Sequence, residues 1–461
     1  MRIAIIGGGP AGLMTAYLLK RHAVPAGITL FEATPRLGGK IVTARFDHAP
    51  ITYEAGAAEL YDYSMIGPDP LRELVRELGL TTRPLTGRTV VLDGRLLQTD
   101  DDIRRYLGQR ALDALEDFRR RAKSLLSPRD YYEADWKENN QAPLARQSFH
   151  DLLASVPDES ARKYIRVAVH SDLATEPHQT TALYGLHNFL MTEPSYVRLY
   201  TIEGGIDSLT KKLAEHVSGR VLLGHRVTSV EKARTGTYCV RSRRSDEILS
   251  EEFDTVVVAL PNNWIPAIEW RGRTLSEAMH AHHVQYDYPA HYLRVSMLFK
   301  EAFWREQINE SYFMLDAFGG CCVYDETSRN FNAPLGVLGW LVAGEAALNL
   351  SNFDDNTLIE QMLESLPRGL RCGREMLLEG RVHRWAGSVN GLPSGNPPRE
   401  PVSRHVPEPE ENPRLLVVGD YLFDSTVNGV LDSAAVAVQF IRKEIPELAR
   451  DRAFAHSAGA V

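Results

Sequence analysis

The pattern of apolar and polar positions predicts alternating strands and helices from the first residues onward. A short β-branched apolar run, Ile3–Ile6, is followed by glycines and then by the start of a helix. A second apolar run, Ile28–Phe31, ends at the acidic Glu32. This order of strand, tight turn, helix and strand is typical of an α/β protein.

The same pattern predicts further elements along the chain. Apolar runs predict strands at 294–299, 336–342 and 415–418. Helical spacing predicts helices at 103–126 and 160–174, another near 357–366, and a long Ala-rich helix from about 431 to 444. We therefore expect 61–200 to be mostly helical and 286–385 to mix strands with a helix. The Pro-rich stretch 393–413 is expected to be a surface connection.

The glycines after the first apolar run predict a nucleotide-binding turn. Gly7 permits the tight turn, Gly9 lets the backbone approach a pyrophosphate, and Gly12 lets helix and strand pack closely. The free amides at the helix N-terminus favour an anion there. Glu32 lies twenty residues beyond Gly12 and is placed to accept hydrogen bonds from the ribose hydroxyls of an adenosine. The sequence therefore predicts a dinucleotide site.

A second loop directly after Glu32 favours FAD over NAD. Arg36 and Lys40 offer positive charge near the phosphates, and Gly38 and Gly39 let the backbone pass close to an extended dinucleotide.

The composition excludes several functional classes. The 461 residues carry 52 Lys plus Arg against 60 Asp plus Glu, a net charge of −8, so no basic excess is available for nucleic acid. The longest apolar runs are far shorter than the roughly 20 residues of a membrane span. Four cysteines without a CxxC pair, and no leader before the first strand, predict a reduced, cytoplasmic protein. His280, His282 and His283 lack a partner at metal-binding spacing, so we expect a solvated helix face and no metal.

These motifs resemble those of the FAD-dependent amine oxidase superfamily, which includes monoamine and polyamine oxidases, L-amino acid oxidases, protoporphyrinogen oxidases and carotenoid desaturases. Residues 32–40 match its E-x-x-x-R-x-G-G-[RK] motif, and Glu54–Ala57 matches its acid-x-Gly-Ala turn. Similar landmarks follow at 203–209, 226–230, 254–261 and 419–430. The resemblance implies FAD contacts at Gly7, Gly9, Pro10, Ala11, Gly12, Glu32, Ala33, Arg36, Gly38, Gly39, Lys40, Gly56, Ala57, Val227, Gly419, Asp420, Val427, Asn428 and Val430.

The resemblance also implies the fold class, which is α/β with a Rossmann-type FAD-binding domain of the GR2-like kind and an interleaved α+β substrate domain. Residues 1–60, 201–285 and 386–461 would form the FAD-binding domain. Residues 61–200 and 286–385 would form the substrate-binding domain, a mostly helical cap plus a mixed sheet.

Positions at which members of the superfamily differ bear on the substrate. Glu59 stands where amino acid oxidases usually place an Arg for the substrate carboxylate, which favours a cationic amine. Arg294 replaces a Lys that reaches the flavin through a water; a guanidinium keeps its proton but can still stabilise reduced flavin. Thr426 replaces one aromatic of the amine cage. No Cys lies near Leu392, where some members attach the flavin, so non-covalent FAD is expected. Glu59 and Arg294 are the candidate catalytic residues, and Glu59, Thr426 and Leu392 the candidate substrate contacts.

The function expected from these observations is FAD-dependent oxidation of a C–N bond, amine to imine, in a small-molecule and biosynthetic-type substrate. Carbon–carbon desaturation of the carotenoid-desaturase or protoporphyrinogen-oxidase type is the alternative, because Asp420 replaces the usual Glu and the cage is incomplete. A flavin-binding scaffold or an isomerase using reduced flavin is a third reading. The sequence does not decide which electron acceptor is used, and it is compatible with a homodimer.

Overall fold

The computed structural model describes residues 1–132, 142–329, 334–393, 395 and 399–458. Its strands are β1 (Arg2–Ile6), β2 (Gly27–Glu32), β3 (Thr43–Arg45), β4 (Thr52–Glu54), β5 (Leu60–Asp62), β6 (Thr82–Leu85), β7 (Val90–Leu92), β8 (Arg95–Leu97), β9 (Arg198–Ile202), β10 (Gly219–Leu223), β11 (Arg226–Lys232), β12 (Tyr238–Arg244), β13 (Glu247–Phe253), β14 (Thr255–Val258), β15 (Glu269–Arg271), β16 (Pro289–Phe299), β17 (Tyr312–Leu315), β18 (Cys321–Asp325), β19 (Gly336–Ala343), β20 (Leu377–Asn390) and β21 (Leu415–Val417).

The α-helices are α1 (Pro10–Arg21), α2 (Pro70–Glu77), α3 (Asp100–Leu107), α4 (Gln109–Leu125), α5 (Pro128–Tyr132), α6 (Ala142–Arg146), α7 (Phe149–Ala154), α8 (Glu159–Leu173), α9 (Ala182–Leu190), α10 (Asp207–Glu215), α11 (Arg273–Gln285), α12 (Gly344–Leu350), α13 (Asp355–Ser365), α14 (Gly373–Met376), α15 (Pro401–His405) and α16 (Val427–Ala458). Short 3₁₀ turns occur at Asn262–Ala267, Phe303–Glu306, Glu326–Arg329, Arg368–Leu370 and Asp420–Leu422. None of the described helices combines the length and the apolar character of a membrane span.

The chain divides into two compact units, each built from separated stretches of sequence. The first unit comprises Met1–Ile41, Leu209–Asp287 and Pro393–Val461, and the second comprises Val42–Ser208 and Tyr288–Leu392. Residues 42–60, 201–208 and 386–392, which the sequence prediction assigned to the FAD-binding domain, group with the second unit.

The first unit is organised around a five-stranded parallel sheet in the order β10-β2-β1-β14-β21. Ile5 lies opposite Leu30 on one side and Val257 on the other, and all three are fully buried. Such uninterrupted apolar strands are typical of a parallel sheet covered on both faces. This strand order, with a glycine turn after β1, is that of a Rossmann-type dinucleotide-binding domain, so the predicted fold class is confirmed.

Two glycines permit the turn between β1 and α1. Gly7 has a φ of +112°, and a Cβ at that position would lie 2.3 Å from the Ala259 carbonyl oxygen. A Cβ on Gly12 would lie 2.0 Å from the Gly7 carbonyl oxygen. A larger residue at position 12 would therefore push α1 away from β1, as the glycine pattern predicted, and a side chain at position 7 would collide with the backbone that follows β14.

A second, four-stranded sheet in the order β13-β12-β11-β15 completes the first unit. Side chains from this sheet, including Val230 and Val240, share one apolar core with β14, β21 and α11. The long helix α16 packs against α1.

The second unit holds a seven-stranded sheet in the order β20-β16-β19-β18-β17-β7-β8. A helical layer that includes α4, α8 and α9 packs on it through Phe118, Ile165, Leu186 and Tyr324. A three-stranded sheet, β5-β9-β6, and the hairpin β3-β4 belong to the same unit. The described part of 61–200 is mostly helical, as predicted, but strands β5–β9 also lie wholly or partly within it.

Several predicted elements have different bounds or surroundings. The helix predicted at 103–126 is broken at Gly108 into α3 and α4, and the C-terminal helix begins at Val427 rather than near 431. The stretch 393–413 is more than a surface connection, because α15 within it buries Arg404 and His405. The predicted solvated histidine face is wrong for His282, which is buried against Tyr421 and has its pKa lowered to about 3 by burial.

Candidate active site

The nucleotide loop of the first unit is held together by Glu32. The Gly8 amide donates a hydrogen bond to Glu32 Oε2 (2.8 Å), and the Thr34 amide donates to Glu32 Oε1 (2.8 Å). Each carboxylate oxygen has a further lone pair, so Glu32 can still accept from a ribose hydroxyl. Gly9 caps α1 without any side-chain hydrogen bond, and Pro10 opens the helix. The first-turn amides, including that of Ala11, therefore remain available to an anion.

The second predicted loop lies directly against the first. The Gly38 amide donates to the Gly8 carbonyl (2.9 Å), and a Cβ on Gly39 would lie 3.0 Å from Gly9 Cα. Arg36 donates from Nη2 to the Gly39 carbonyl (2.7 Å), so its guanidinium closes its own loop. Ala33 is exposed beside Glu32. The structure thus brings the two predicted glycine loops together.

The C-terminal motif belongs to the same unit and is linked to the second loop. Lys40 Nζ lies 3.1 Å from Asp420 Oδ2, an ion pair between residues 380 positions apart. The Gly419 amide donates to Ser433 Oγ (3.0 Å), and Ser433 in turn lies 2.9 Å from His405 Nε2. Both Ser433 and His405 are fully buried. These two hydrogen bonds therefore fix Gly419 and Asp420 against α16.

The N-terminus of α16 is capped by Asp424 and Thr426. Asp424 Oδ1 accepts from the amides of Thr426 (3.2 Å) and Gly429 (3.1 Å), and Thr426 Oγ1 also accepts from Gly429 (3.2 Å). A Cβ on residue 429 would lie 2.2 Å from Asp424 Oδ1, which explains the glycine. Val427, Asn428 and Val430 form the first turn of this helix. Thr426, a predicted substrate contact, is therefore a helix cap.

These residues of the first unit fit a flavin adenine dinucleotide. An uncapped helix N-terminus suits the pyrophosphate, Glu32 suits the ribose, and the cations Arg36 and Lys40 lie on the adjoining loop. Val227, the predicted adenine contact, has its side chain buried in the apolar core.

The second unit contains a buried network of two ion pairs around the predicted acid-x-Gly-Ala turn. Arg329 Nη1 lies 3.2 Å from Glu54 Oε1, and Arg294 Nη2 lies 2.6 Å from Glu326 Oε1. Glu326 Oε2 also accepts from the Glu54 amide (2.6 Å), which joins the pairs. Burial raises the pKa of Glu54 to about 7, against the opposing effect of Arg329. The following Gly56 and Ala57 are only partly buried.

Tyr324 connects the two predicted catalytic residues. The Arg294 guanidinium lies 5.2 Å from the centre of the Tyr324 ring, and the Tyr324 hydroxyl donates to Glu59 Oε2 (3.1 Å). The Tyr61 hydroxyl donates to the other Glu59 oxygen (3.2 Å). Arg294 Nε has no hydrogen-bond partner among the described residues. Arg294 is thus committed to Glu326, whereas Glu59 is held by neutral donors.

Glu59 lines a cavity of about 440 Å³ that lies within the second unit. Its walls include the apolar side chains of Leu97, Phe189 and Met314. Burial raises the pKa of Glu59, while the hydrogen bonds from Tyr324 and Tyr61 lower it. Among described residues, Glu59 forms no ion pair with a Lys or Arg. Leu392, the other candidate substrate contact in this unit, does not line the cavity.

Sequence reasoning missed Asp172, one of the other acidic residues that line the cavity. Tyr164, Ala168 and Asp172 on α8 all line the cavity, and their spacing of four residues places them on one helix face. Burial, and then the neighbouring Glu59, raise the pKa of Asp172 well above its ordinary value. The sequence contained one signal for this residue: Asp172 lies on the same helix face as Tyr164 and Ala168, which are an aromatic residue and an alanine.

The structure also shows the surroundings of two adjacent cysteines and bears on a metal site. Cys321 and Cys322 are buried free thiols, and Cys322 lines the cavity. Burial raises the pKa of Cys321 and Cys322, so both stay protonated. Within the described ranges, no cluster of three or more His, Cys, Asp or Glu is arranged for a metal ion.

A known protein family matches most of this chain. A family model for flavin containing amine oxidoreductases matches residues 10–441. The chain belongs to this family. Amine oxidase [flavin-containing] A of Canis lupus familiaris is 25% identical over 335 residues, which cover 66% of this chain and 58% of that protein. The match thus spans less than two thirds of that relative's length.

One further curated protein and one solved structure that resemble this chain carry names with different substrates. The flavin-dependent L-tryptophan oxidase RebO of Lentzea aerocolonigenes is 24% identical over 338 residues, 67% of this chain and 68% of that protein. A solved structure of putrescine oxidase bound to putrescine superposes with a TM-score of 0.76 at 19% identity, covering 96% of this chain and 99% of that one. At this identity the structural likeness shows the shared fold.

Proposed function

We propose that this chain is an FAD-dependent oxidoreductase that converts a cationic amine to an imine. The observation that carries the proposal is the Glu59 carboxylate in a largely enclosed, aromatic cavity without a Lys or Arg partner among the described residues. A buried carboxylate is costly unless a cation pairs with it. An ammonium group supplies that cation, whereas a substrate carboxylate would be repelled.

The proposed cofactor is FAD, held non-covalently by the first unit. Glu32 would hold the ribose, the α1 N-terminus the pyrophosphate, and Asp420 with the start of α16 the flavin end. When bound, a flavin accepts the hydride equivalent from the carbon next to nitrogen, and the resulting imine can be hydrolysed by water.

The residues of the cavity have separate roles in this proposal. Glu59 binds the ammonium, and the Tyr61 and Tyr324 hydroxyls orient its two oxygens. Burial raises the pKa of Tyr324 well above its ordinary value, so this hydroxyl keeps its proton and remains a donor. The cation of Arg294, balanced by Glu326, holds the Tyr324 ring in position.

Carbon–carbon desaturation is the second candidate. The position expected to carry one aromatic of an amine cage holds Thr426, which caps α16. Product analysis separates the two: amine oxidation releases ammonia or an amine with an aldehyde or ketone, and desaturation leaves nitrogen in place.

The test compares Glu59→Gln with the wild-type holoenzyme on a panel of primary amines. Loss of one charge-assisted hydrogen bond raises KM roughly 10- to 100-fold, with a smaller effect on kcat. Binding of the corresponding uncharged alcohols should change little. Asp113→Asn, which neutralises an exposed carboxylate on α4, is the matched control and should behave as wild type. An unchanged KM in Glu59→Gln would refute the role of Glu59.

A further inference from the structure

Helix α15 lies in the Pro-rich stretch that the sequence predicted to be a surface connection, but it buries two basic side chains in the first unit. Arg404 is 1% exposed and His405 is fully buried. Burial of such side chains is costly unless their polar atoms have specific partners. The contacts of both include the segment 419–423, which follows β21 and contains Asp420.

His405 is linked to the start of this segment through Ser433. The Val418 amide donates to the Val258 carbonyl (2.9 Å), in line with the hydrogen bonds between β14 and β21. The next amide, that of Gly419, donates instead to Ser433 Oγ (3.0 Å), which lies 2.9 Å from His405 Nε2. A hydroxyl group can accept one hydrogen bond while it takes part in another. Ser433 therefore joins the backbone of Gly419 to the imidazole of His405.

Arg404 holds the other end of the same segment. Its Nη1 donates to the Leu422 carbonyl (2.6 Å), and its guanidinium lies 5.7 Å from the centre of the Phe423 ring. The His405 ring lies 5.6 Å from that aromatic ring as well. Because the Gly419 amide and the Leu422 carbonyl are both held, the 3₁₀ turn that lies between them is fixed at both ends.

Asp420 is the first residue of that turn, and its carboxylate occupies a defined position. Its Oδ1 accepts from the Tyr421 amide (3.1 Å), and its Oδ2 lies 3.1 Å from Lys40 Nζ. A side chain that is ordered before a ligand arrives binds that ligand more tightly, because ordering it on binding costs part of the binding free energy. The contacts of α15 therefore bear on how well Asp420 is prepared for the cofactor.

We propose that His405 is a positioning residue for FAD, which acts through Ser433 and Gly419 to hold Asp420 in place for the flavin end of the cofactor. Arg404 supports the same turn from its other end. Helix α15 thus serves the cofactor site, although neither of its two buried basic residues is a predicted FAD contact. This inference rests on the proposed binding of FAD, since it concerns how the same site is held in position.

The experiment measures the affinity of the full-length apoprotein for FAD by titration calorimetry. Ser433→Ala and His405→Leu should each weaken FAD binding roughly 10-fold, because each breaks the link between α15 and Gly419 and leaves Asp420 less ordered. His405→Gln carries an amide group that can still form a hydrogen bond with Ser433. Its affinity should stay within about threefold of wild type.

Two further variants separate positioning from a general loss of stability. In the Asp420→Ala background, His405→Leu should weaken FAD binding by less than about twofold more, because the residue through which His405 acts is gone. Asn412→Ala is the matched control. It removes a different buried hydrogen bond, from Asn412 Nδ2 to Glu408 Oε2 (3.1 Å), in the chain that leads into β21. It should destabilise the protein and leave the affinity for FAD unchanged.

Hydrogen exchange of the wild-type apoprotein tests the same link without any substitution. The Gly419 amide should be protected, since Ser433 holds it before FAD binds. Unprotected exchange at Gly419 overturns the proposal even if a variant fails to fold. Wild-type affinity in Ser433→Ala and His405→Leu, or an undiminished effect of His405→Leu in the Asp420→Ala background, also overturns it. If FAD still binds and an amine bleaches it, only the positioning role fails; if wild type binds no FAD, the proposed function fails too.

Discussion

At the scale of single residues, charged side chains of the second unit occupy two kinds of environment: some form buried ion pairs, and one is held only by neutral hydroxyl groups. Arg294 and Glu326 are almost completely buried and satisfy each other at 2.6 Å. Glu59 is only partly buried, because it lines a cavity, and its carboxylate accepts hydrogen bonds from two tyrosine hydroxyls. A paired buried charge stabilises a structure only while both partners are present, whereas a carboxylate held by neutral donors remains available to an incoming cation.

Arg294→Met should lower the free energy of unfolding by about 3–5 kcal/mol, because it leaves Glu326 as a buried charge without its partner. Adding Glu326→Gln to that variant should restore part of the loss. Arg273→Met, which removes an exposed ion pair with Glu277 on α11, should cost no more than about 1 kcal/mol. Urea unfolding measures all three. If Arg294→Met and Arg273→Met lower the free energy of unfolding equally, the buried ion pair contributes no more to stability than the exposed one.

At the scale of elements, helix N-termini carry the candidate cofactor site. The start of α1 lacks a side-chain cap, which leaves its amides for an anion. The start of α16 is capped by Asp424, whose pKa is raised by burial despite hydrogen bonds from Thr426 and Gly429. The cap fixes the position of the first turn of α16, which includes Asn428 and Val430.

Asp424→Ala should destabilise the protein by about 0.5–2 kcal/mol, the usual cost of losing an N-cap, and should also weaken FAD retention. Asp354→Ala removes the cap of α13 in the second unit and is the matched control. It should cost a similar free energy of unfolding and leave FAD retention unchanged. Chemical denaturation and the rate of flavin release on dilution measure the two effects. If both variants release flavin at the same rate, the α16 cap has no particular role in holding the cofactor.

The sequence predicted these elements unevenly, for physical reasons. Strands β1, β2 and β21 were predicted closely because strands buried on both faces are uninterrupted apolar runs. The resemblance implied β14. The break at Gly108 was missed because helical periodicity continues on both sides of it. Asp172 was missed because a single acid on a helix resembles any exposed residue until the other residues that line the cavity, including Glu59 and Tyr324, are known. Contacts between residues distant in sequence decide such a site.

At the scale of the whole molecule, each unit is assembled from distant stretches of chain, so its titration depends on groups that only folding brings together. Glu54, Glu59 and Asp172 all have pKa values raised above those of the unfolded chain, with burial as the largest cause. Raised carboxyl pKa values mean that the folded state binds more protons than the unfolded state. The stability contributed by these groups is therefore greatest at low pH and falls as the pH rises through the raised pKa values.

Asp172→Asn and Glu59→Gln should accordingly become more stable relative to wild type as the pH rises from 5 to 8, because the neutral amides avoid the cost of ionisation. Thermal melting of each holoenzyme without substrate measures the difference. The melting temperature of Asp113→Asn should differ from that of wild type by the same amount over this pH range, since Asp113 is exposed. A pH-independent offset for Asp172→Asn and Glu59→Gln would contradict the raised pKa values of these carboxyls.

The most direct test of amine oxidation is anaerobic mixing of the oxidised holoenzyme with a panel of amines, while the visible absorbance of its flavin is followed. The account predicts that at least one cationic amine bleaches the flavin band, that its uncharged alcohol does not, and that stoichiometric ammonia or amine appears with a carbonyl product. Bleaching accompanied by a new carbon–carbon double bond and no released nitrogen, or a band that persists with every amine, would contradict it.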